Sequence, residues 1–226
     1  PVVSLSPYNT GPEIAKSRGY LKTSNDGKML FCAFDKNDFS EMARFNNQTG
    51  VVYDVLKFVN RPSTITTASQ PGAYGVEFSP NNKYMYVTLR VFYNIPCNTC
   101  PGGNRYIYQF DVSNYDSSSI ASSAVLIDSG LSIINPNSRQ YEALQLAKNG
   151  KIYVAQYGSG FLGAINNPDL GGTSCNFQID AVFLNGRIST FGLPTFIQSY
   201  FNPNYRSYDF IYSEACNRNL SFDINT

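Results

Sequence analysis

One pattern occurs three times and constrains the fold more than any other feature of the chain. A short run alternating apolar and polar residues leads into an Asn/Asp/Gly turn with a lysine, and a second alternating run follows. The copies are Gly19 to Phe31, Tyr74 to Val87 and Tyr141 to Val154. Strict alternation suits strands buried on one face, and Asp26-Gly27, Asn81-Asn82 and Asn149-Gly150 supply residues that accept the positive φ of tight hairpin turns. Each copy therefore reads as a β-hairpin. No segment sustains a helical period, and only Pro12-Glu13-Ile14-Ala15 suggests a helical turn.

A second, less regular strand pair follows each hairpin. In the first unit Phe39 to Asn46 and Val51 to Phe58 flank Asn47-Gln48-Thr49-Gly50. In the second, Arg105 to Val112 leads through a serine-rich stretch to Ala124 to Ile127. In the third, Phe161 to Asn166 and Phe177 to Leu184 flank a longer loop. The turn lysines stand at 28, 83 and 151, giving repeats of 55 and 68 residues. These exceed the roughly 40–50 residues of common propeller blades, and the excess is assigned to Leu89 to Asn104 and Leu131 to Gln140. Tandem four-stranded units predict an all-β fold, a β-propeller of four-stranded antiparallel blades, with each first strand nearest the channel. A β-sandwich does not predict one hairpin pattern three times. The expected organisation is a lead-in at 1–16, propeller sequence at 17–203 (blades at about 17–60, 72–128 and 141–185, with part of a fourth at 190–203), and a tail at 204–226.

The ordered motifs Gly19-Tyr20-Leu21-Lys22, Tyr74-Gly75-Val76-Glu77-Phe78-Ser79-Pro80, Tyr106-Ile107-Tyr108-Gln109-Phe110-Asp111, Gly150-Lys151-Ile152-Tyr153-Val154 and Gly192-Leu193-Pro194-Thr195-Phe196-Ile197 resemble the WD40-like propeller module of large Bacteroidota cell-surface proteins. Those proteins commonly carry PKD domains and a sorting domain for type 9 secretion, and include gliding-motility-associated members. The resemblance covers roughly Ser17 to Phe201. It implies an exported protein at the cell surface or on the periplasmic side of the outer membrane. Its implied partners are proteins of a surface or secretion complex, or surface glycans. Family members carry further propeller sequence before the segment matching Gly19, so three blades and part of a fourth resemble the C-terminal part of a propeller: a piece of a longer ring, a ring completed by another chain, or a short open variant. The tail with Cys216 and Leu220 to Ile224 reads as a closing strand or the entry to a PKD-like module.

Composition narrows the chemistry. The chain contains no histidine, which removes Ser-His-Asp and Cys-His sites, histidine zinc ligands and a histidine base. A net charge of +1 without a Lys/Arg cluster gives no electrostatic footprint for nucleic acid. No apolar run is long enough for a membrane helix. No cofactor or metal site is expected, and the chain is expected not to be an enzyme. Its expected role is a scaffold or binding module.

The candidate residues are few. Cys97 and Cys100, flanked by prolines and glycines, suggest a local disulfide rather than a redox or zinc pair. Cys175 and Cys216 suggest a second bridge, and Cys32 a buried free thiol. Phe92, Tyr93, Tyr106 and Tyr108 form a candidate binding face for glycan or protein, or else pack between blades. Glu77 and Glu142, both in first strands, are the one carboxylate pair that blade geometry brings near the channel. A polysaccharide hydrolase or lyase would use them, although their repeat positions are offset. Asp35-Lys36-Asn37-Asp38 lacks the features of a calcium loop and reads as a solvated turn. Asn166 to Gly172 reads as ordinary turn sequence.

Overall fold

The computed structural model describes residues 18–35, 37–60, 62, 69–93, 105–130, 140–196, 210–214 and 220–224. They form three four-stranded antiparallel sheets, each in simple meander order. Blade 1 comprises β1 (Leu21–Thr23), β2 (Met29–Cys32), β3 (Phe39–Asn46) and β4 (Val51–Val59). Blade 2 comprises β5 (Ser69–Phe78), β6 (Tyr84–Tyr93), β7 (Arg105–Asp111) and β8 (Val125–Gly130), with a short helix α1 (Ser117–Ser122) between its last two strands. Blade 3 comprises β9 (Gln140–Leu146), β10 (Ile152–Tyr157), β11 (Phe161–Ile165) and β12 (Phe177–Phe183). A separate hairpin pairs β13 (Phe210–Glu214) with β14 (Leu220–Ile224). Three meandering four-stranded sheets stacked in series make the chain an all-β protein of propeller-type blades. No helix among the described residues is long and apolar enough to cross a membrane.

The expected hairpin chemistry is present. Gly27, Asn82 and Gly150 have φ of 68°, 60° and 76° at the three turns, and each donates its N–H to the carbonyl three residues back, at Ser24, Ser79 and Ala147, over 2.9 Å. Two features differ from the sequence reading. β6 continues to Tyr93, so the first residues assigned to the Leu89 to Asn104 loop are strand. The serine-rich stretch of blade 2 contains α1, whose N-cap Asp116 accepts the Ser119 N–H at 2.8 Å and whose Ile120 is buried. Residues 190–196 contain no strand, and the 1–16 lead-in lies outside the described residues.

Two apolar cores lie between consecutive blades. Phe31, Met42 and Phe58 of blade 1 meet Val76, Phe78, Met85 and Phe110 of blade 2. Tyr86 and Ile107 on the other side of blade 2 meet Leu144, Leu146, Ile152, Val154 and Ile165 of blade 3. Close approach of the inner strands requires glycine at position 75, where a β carbon would lie 2.1 Å from the Glu142 carbonyl oxygen.

Each later blade also straps the one before it through the connection between its third and fourth strands. From blade 2, the Tyr115 hydroxyl donates to the Asp54 carbonyl at 2.5 Å and the Ser117 hydroxyl to the Lys57 carbonyl at 2.6 Å, both on blade 1. From blade 3, the Pro168 carbonyl accepts the Tyr86 hydroxyl at 2.9 Å, the Leu170 carbonyl accepts Gln109 Nε2 at 2.8 Å, and the Gly172 N–H donates to Gln109 Oε1 at 2.7 Å. The Asn166 to Gly172 turn is thus an inter-blade clamp. Its Asp169 carboxylate accepts the Asn81 N–H at 2.9 Å.

Candidate functional site at the blade axis

The inner strands carry an unusual charge arrangement. Lys22, Glu77 and Gln145 each stand six residues before the turn lysine of their own blade, and strand alternation turns all three toward the shared axis. Lys22 Nζ donates to Glu77 Oε2 at 3.1 Å and to Gln145 Oε1 at 2.6 Å. Glu77 Oε2 also accepts the Leu146 N–H of blade 3 at 2.9 Å, while its Oε1 accepts the Phe78 N–H at 3.0 Å. One buried lysine therefore joins equivalent positions of all three blades.

A second cluster lies further along the axis. Arg90 of β6 donates through Nη1 to Asp35 Oδ2 of blade 1 at 3.0 Å, and through Nη2 to both oxygens of Glu142 on β9 at 2.9 and 3.0 Å. Arg105 of β7 places Nη1 3.0 Å from Glu142 Oε1 and donates through Nη2 to Gln140 Oε1 at 3.3 Å. Burial pushes the Glu142 carboxyl up to about 7, against the pull of Arg90. In mildly alkaline solution Glu142 is therefore a carboxylate shared between two guanidiniums. Asp35, read as part of a solvated turn, is in fact buried in this cluster.

Both candidate channel carboxylates are thus completely buried, and every one of their oxygens is engaged by a cation or a main-chain N–H. A glycosidase pair needs one carboxyl able to deliver a proton and another able to reach water or sugar. Glu77 and Glu142 are instead positioned as struts between blades.

Over this cluster lies an aromatic group that the sequence did not single out. Tyr20 and Tyr74 meet edge to face at 5.7 Å, Tyr74 and Phe191 at 6.4 Å, and Tyr157 lies 4.5 Å from Phe191. The Arg90 guanidinium sits 5.2 Å from the Tyr74 ring and 5.6 Å from that of Phe191. The segment carrying Phe191 is tied down by the Ala143 N–H, which donates to the Phe191 carbonyl at 3.1 Å, and by the Leu193 N–H, which donates to the Tyr20 hydroxyl at 3.3 Å. Tyr157 and Phe191 remain 42% and 43% exposed. These residues come from four separate stretches of chain, so no local motif marks them.

The remaining candidates fall differently. Tyr108 is buried in the core between blades 1 and 2, and Tyr106 packs against that core. The expected exposed face is therefore not formed by Tyr108, because its strand alternation points it at the neighbouring blade. The side chains of Phe92 and Tyr93 lie outside the described residues, as do Cys97, Cys100 and Cys216. Cys175 is a free, buried thiol in the core between blades 2 and 3, in contact with the Tyr86 hydroxyl. This corrects the expected bridge from Cys175 to Cys216: the clamp that carries Cys175 directs it inward against blade 2. Cys32 is also free but only partly buried. No group of three or more metal-ligating side chains occurs among the described residues.

Burial, with Glu41 adding to it, raises the Cys32 thiol to about 11. The reactive species is the thiolate, so alkylation of Cys32 at pH 8 is expected to run roughly a hundredfold slower in the folded chain than in urea. Peptide-resolved mass spectrometry after timed iodoacetamide labelling checks this, and equal rates would refute it.

No family model matches the chain, and no curated protein does. Similar solved structures are distant. A candidate 6-phosphogluconolactonase from Bacteroides fragilis is 16% identical over 64% of this chain and 33% of its own length, with a TM-score of 0.37. Hydrazine synthase from Kuenenia stuttgartiensis is 13% identical over 91% of this chain and 58% of its own, with a TM-score of 0.43. The WD40 repeats of RRP9 are 11% identical over 69% of this chain and 51% of their own, with a TM-score of 0.31. The chain spans between a third and three-fifths of the length of these structures. The expectation that the chain is not an enzyme is set aside: a candidate 6-phosphogluconolactonase stands among the similar structures, and fold alone does not decide catalysis. What the sheets themselves establish is a set of three propeller-type blades locked by two buried charge clusters.

Proposed function

We propose that these blades form a binding platform of an exported Bacteroidota surface protein, holding a protein or glycan partner at the axial mouth formed by Tyr20, Tyr74, Tyr157 and Phe191. The observation that carries this reading is the half-exposed aromatic group fixed over a buried guanidinium. Aromatic rings that are held in place and partly exposed offer large contact area at little entropic cost, which is why such residues dominate binding hot spots. The axial ion pairs hold the blades that carry these rings in fixed relation. Export and surface location are supported by the sequence resemblance, and the type 9 secretion or gliding machinery is the setting it suggests.

The test is binding of the immobilised chain to purified Bacteroidota surface polysaccharides and to outer-membrane proteins. Tyr157→Ala is expected to weaken the interaction about tenfold at unchanged melting temperature, the size expected for a side chain contributing about 1.4 kcal/mol. Binding that Tyr157→Ala and Phe191→Ala both leave intact would place the recognition surface elsewhere.

A further inference from the structure

The cluster beneath the aromatic mouth is not balanced in charge. Arg18, Arg90 and Arg105 face the carboxylates of Asp35 and Glu142. Glu142 is shared between Arg90 and Arg105, and Asp35 Oδ2 between Arg90 at 3.0 Å and Arg18 at 3.5 Å. Within this group of described residues a positive charge is left over. Arg90 and Arg105 are buried, whereas the Arg18 side chain is 61% exposed. The long contact with Asp35 is its one polar side-chain contact among the described residues, which leaves other guanidinium N–H groups able to donate. Its main chain is nonetheless fixed, because the Arg18 carbonyl accepts the Asp35 N–H at 2.7 Å. The surplus charge is thus presented to solvent two residues before Tyr20 of the mouth.

The aromatic group has an open member too. Tyr157 contacts one other ring, that of Phe191, and stays 42% exposed. From Phe191 the contacts run to Arg90 at 5.6 Å, and from Arg90 through Asp35 to Arg18. An open ring and an open guanidinium are therefore tied to the same buried framework, and a ligand that meets both is an extended chain. Each group selects its own chemistry. A guanidinium with spare donors matches a carboxylate in a planar two-bond fork. An exposed ring offers a flat apolar face, which suits the C–H face of a pyranose and has no counterpart in an extended acidic peptide. Building on the reading of the mouth as a binding site, we propose that its ligand is an acidic polysaccharide, a polymer of uronic acids whose sugar faces lie on Tyr157 and Phe191 and whose carboxylate pairs with Arg18. Arg18 then sets specificity, while the rings supply contact area to acidic and neutral sugars alike.

Isothermal titration of the chain with oligomers of galacturonate, mannuronate and guluronate, each beside its carboxyl-reduced counterpart of equal length, tests this. At least one uronate is expected to bind about tenfold more tightly than its reduced form, the size of one charge-assisted hydrogen-bonded pair. Added salt should erode that preference and leave binding of the reduced form unchanged. Arg18→Gln should abolish the preference at unchanged melting temperature, Arg18→Lys should keep part of it, and Tyr157→Ala should weaken acidic and reduced forms equally. Equal binding of acidic and reduced forms, or a preference that Arg18→Gln leaves intact, overturns the inference while the mouth stands as a site for neutral ligands. Binding of polyglutamate where no uronate binds overturns it in favour of an acidic protein. Binding of none of these polymers overturns it as well, whereas the reading of the mouth itself fails only when a surface polysaccharide or outer-membrane protein binds the chain independently of both Tyr157 and Phe191.

Discussion

Replacing Glu142 with alanine is expected to lower stability at pH 8 by about 3–5 kcal/mol, a fall in Tm on the order of 10 °C. The substitution removes the carboxylate that faces both Arg90 and Arg105, and the guanidiniums are nearly inaccessible to compensating water. Breaking one partner of a buried ion pair costs more than the pair contributes, because the remaining charge keeps its desolvation penalty. The loss should therefore appear in Glu142→Ala and in Arg90→Ala, and a double variant should fall well short of their sum. Chemical denaturation of the four proteins gives the coupling directly. Additive losses, or a Glu142→Ala variant as stable as the parent, would show that the cluster does not join the blades.

Much of this arrangement is legible in the sequence, and the limits have physical causes. β3 falls where Phe39 to Asn46 was read and β11 within one residue of its reading, because alternation and turn residues are local signals. Helix α1 escaped because Ser-Ser-Ser-Ile-Ala-Ser has little helical propensity of its own. Its cap and the burial of Ile120 between blades hold it. Glu77 and Glu142 lie on inner strands, and their partners are distant in sequence, 55 residues for Lys22 and 52 for Arg90. The period did contain part of the answer. Lys22 with Glu77 and Asp35 with Arg90 are each separated by 55 residues, the spacing between Lys28 and Lys83, so equivalent positions of consecutive blades carry opposite charges. Cys175 shows the converse. It is placed by the clamp over blade 2, which no spacing of cysteines encodes.

The Lys22 cluster supports the second large effect. Lys22→Met retains most of the apolar stem but removes the ammonium 3.1 Å from the buried Glu77 carboxylate, whose oxygens still accept the Leu146 and Phe78 N–H groups, for an expected loss of about 3–5 kcal/mol. Adding Glu77→Gln should recover much of that loss. A neutral amide oxygen still accepts the Leu146 N–H, and neither the Lys22 nor the Glu77 position then carries a charge. The double variant is thus expected to be more stable than Lys22→Met alone, the opposite of what two independent lesions would give. The same comparison separates two roles of the lysine. If Lys22 acts mainly by neutralising Glu77, the rescue is large. If it acts mainly as a hydrogen-bond bridge to Gln145, 2.6 Å away on blade 3, Glu77→Gln rescues nothing and blade 3 loses hydrogen-exchange protection first. Because the pair is anchored across three inner strands, the charge account predicts rescue that restores protection in all three blades together.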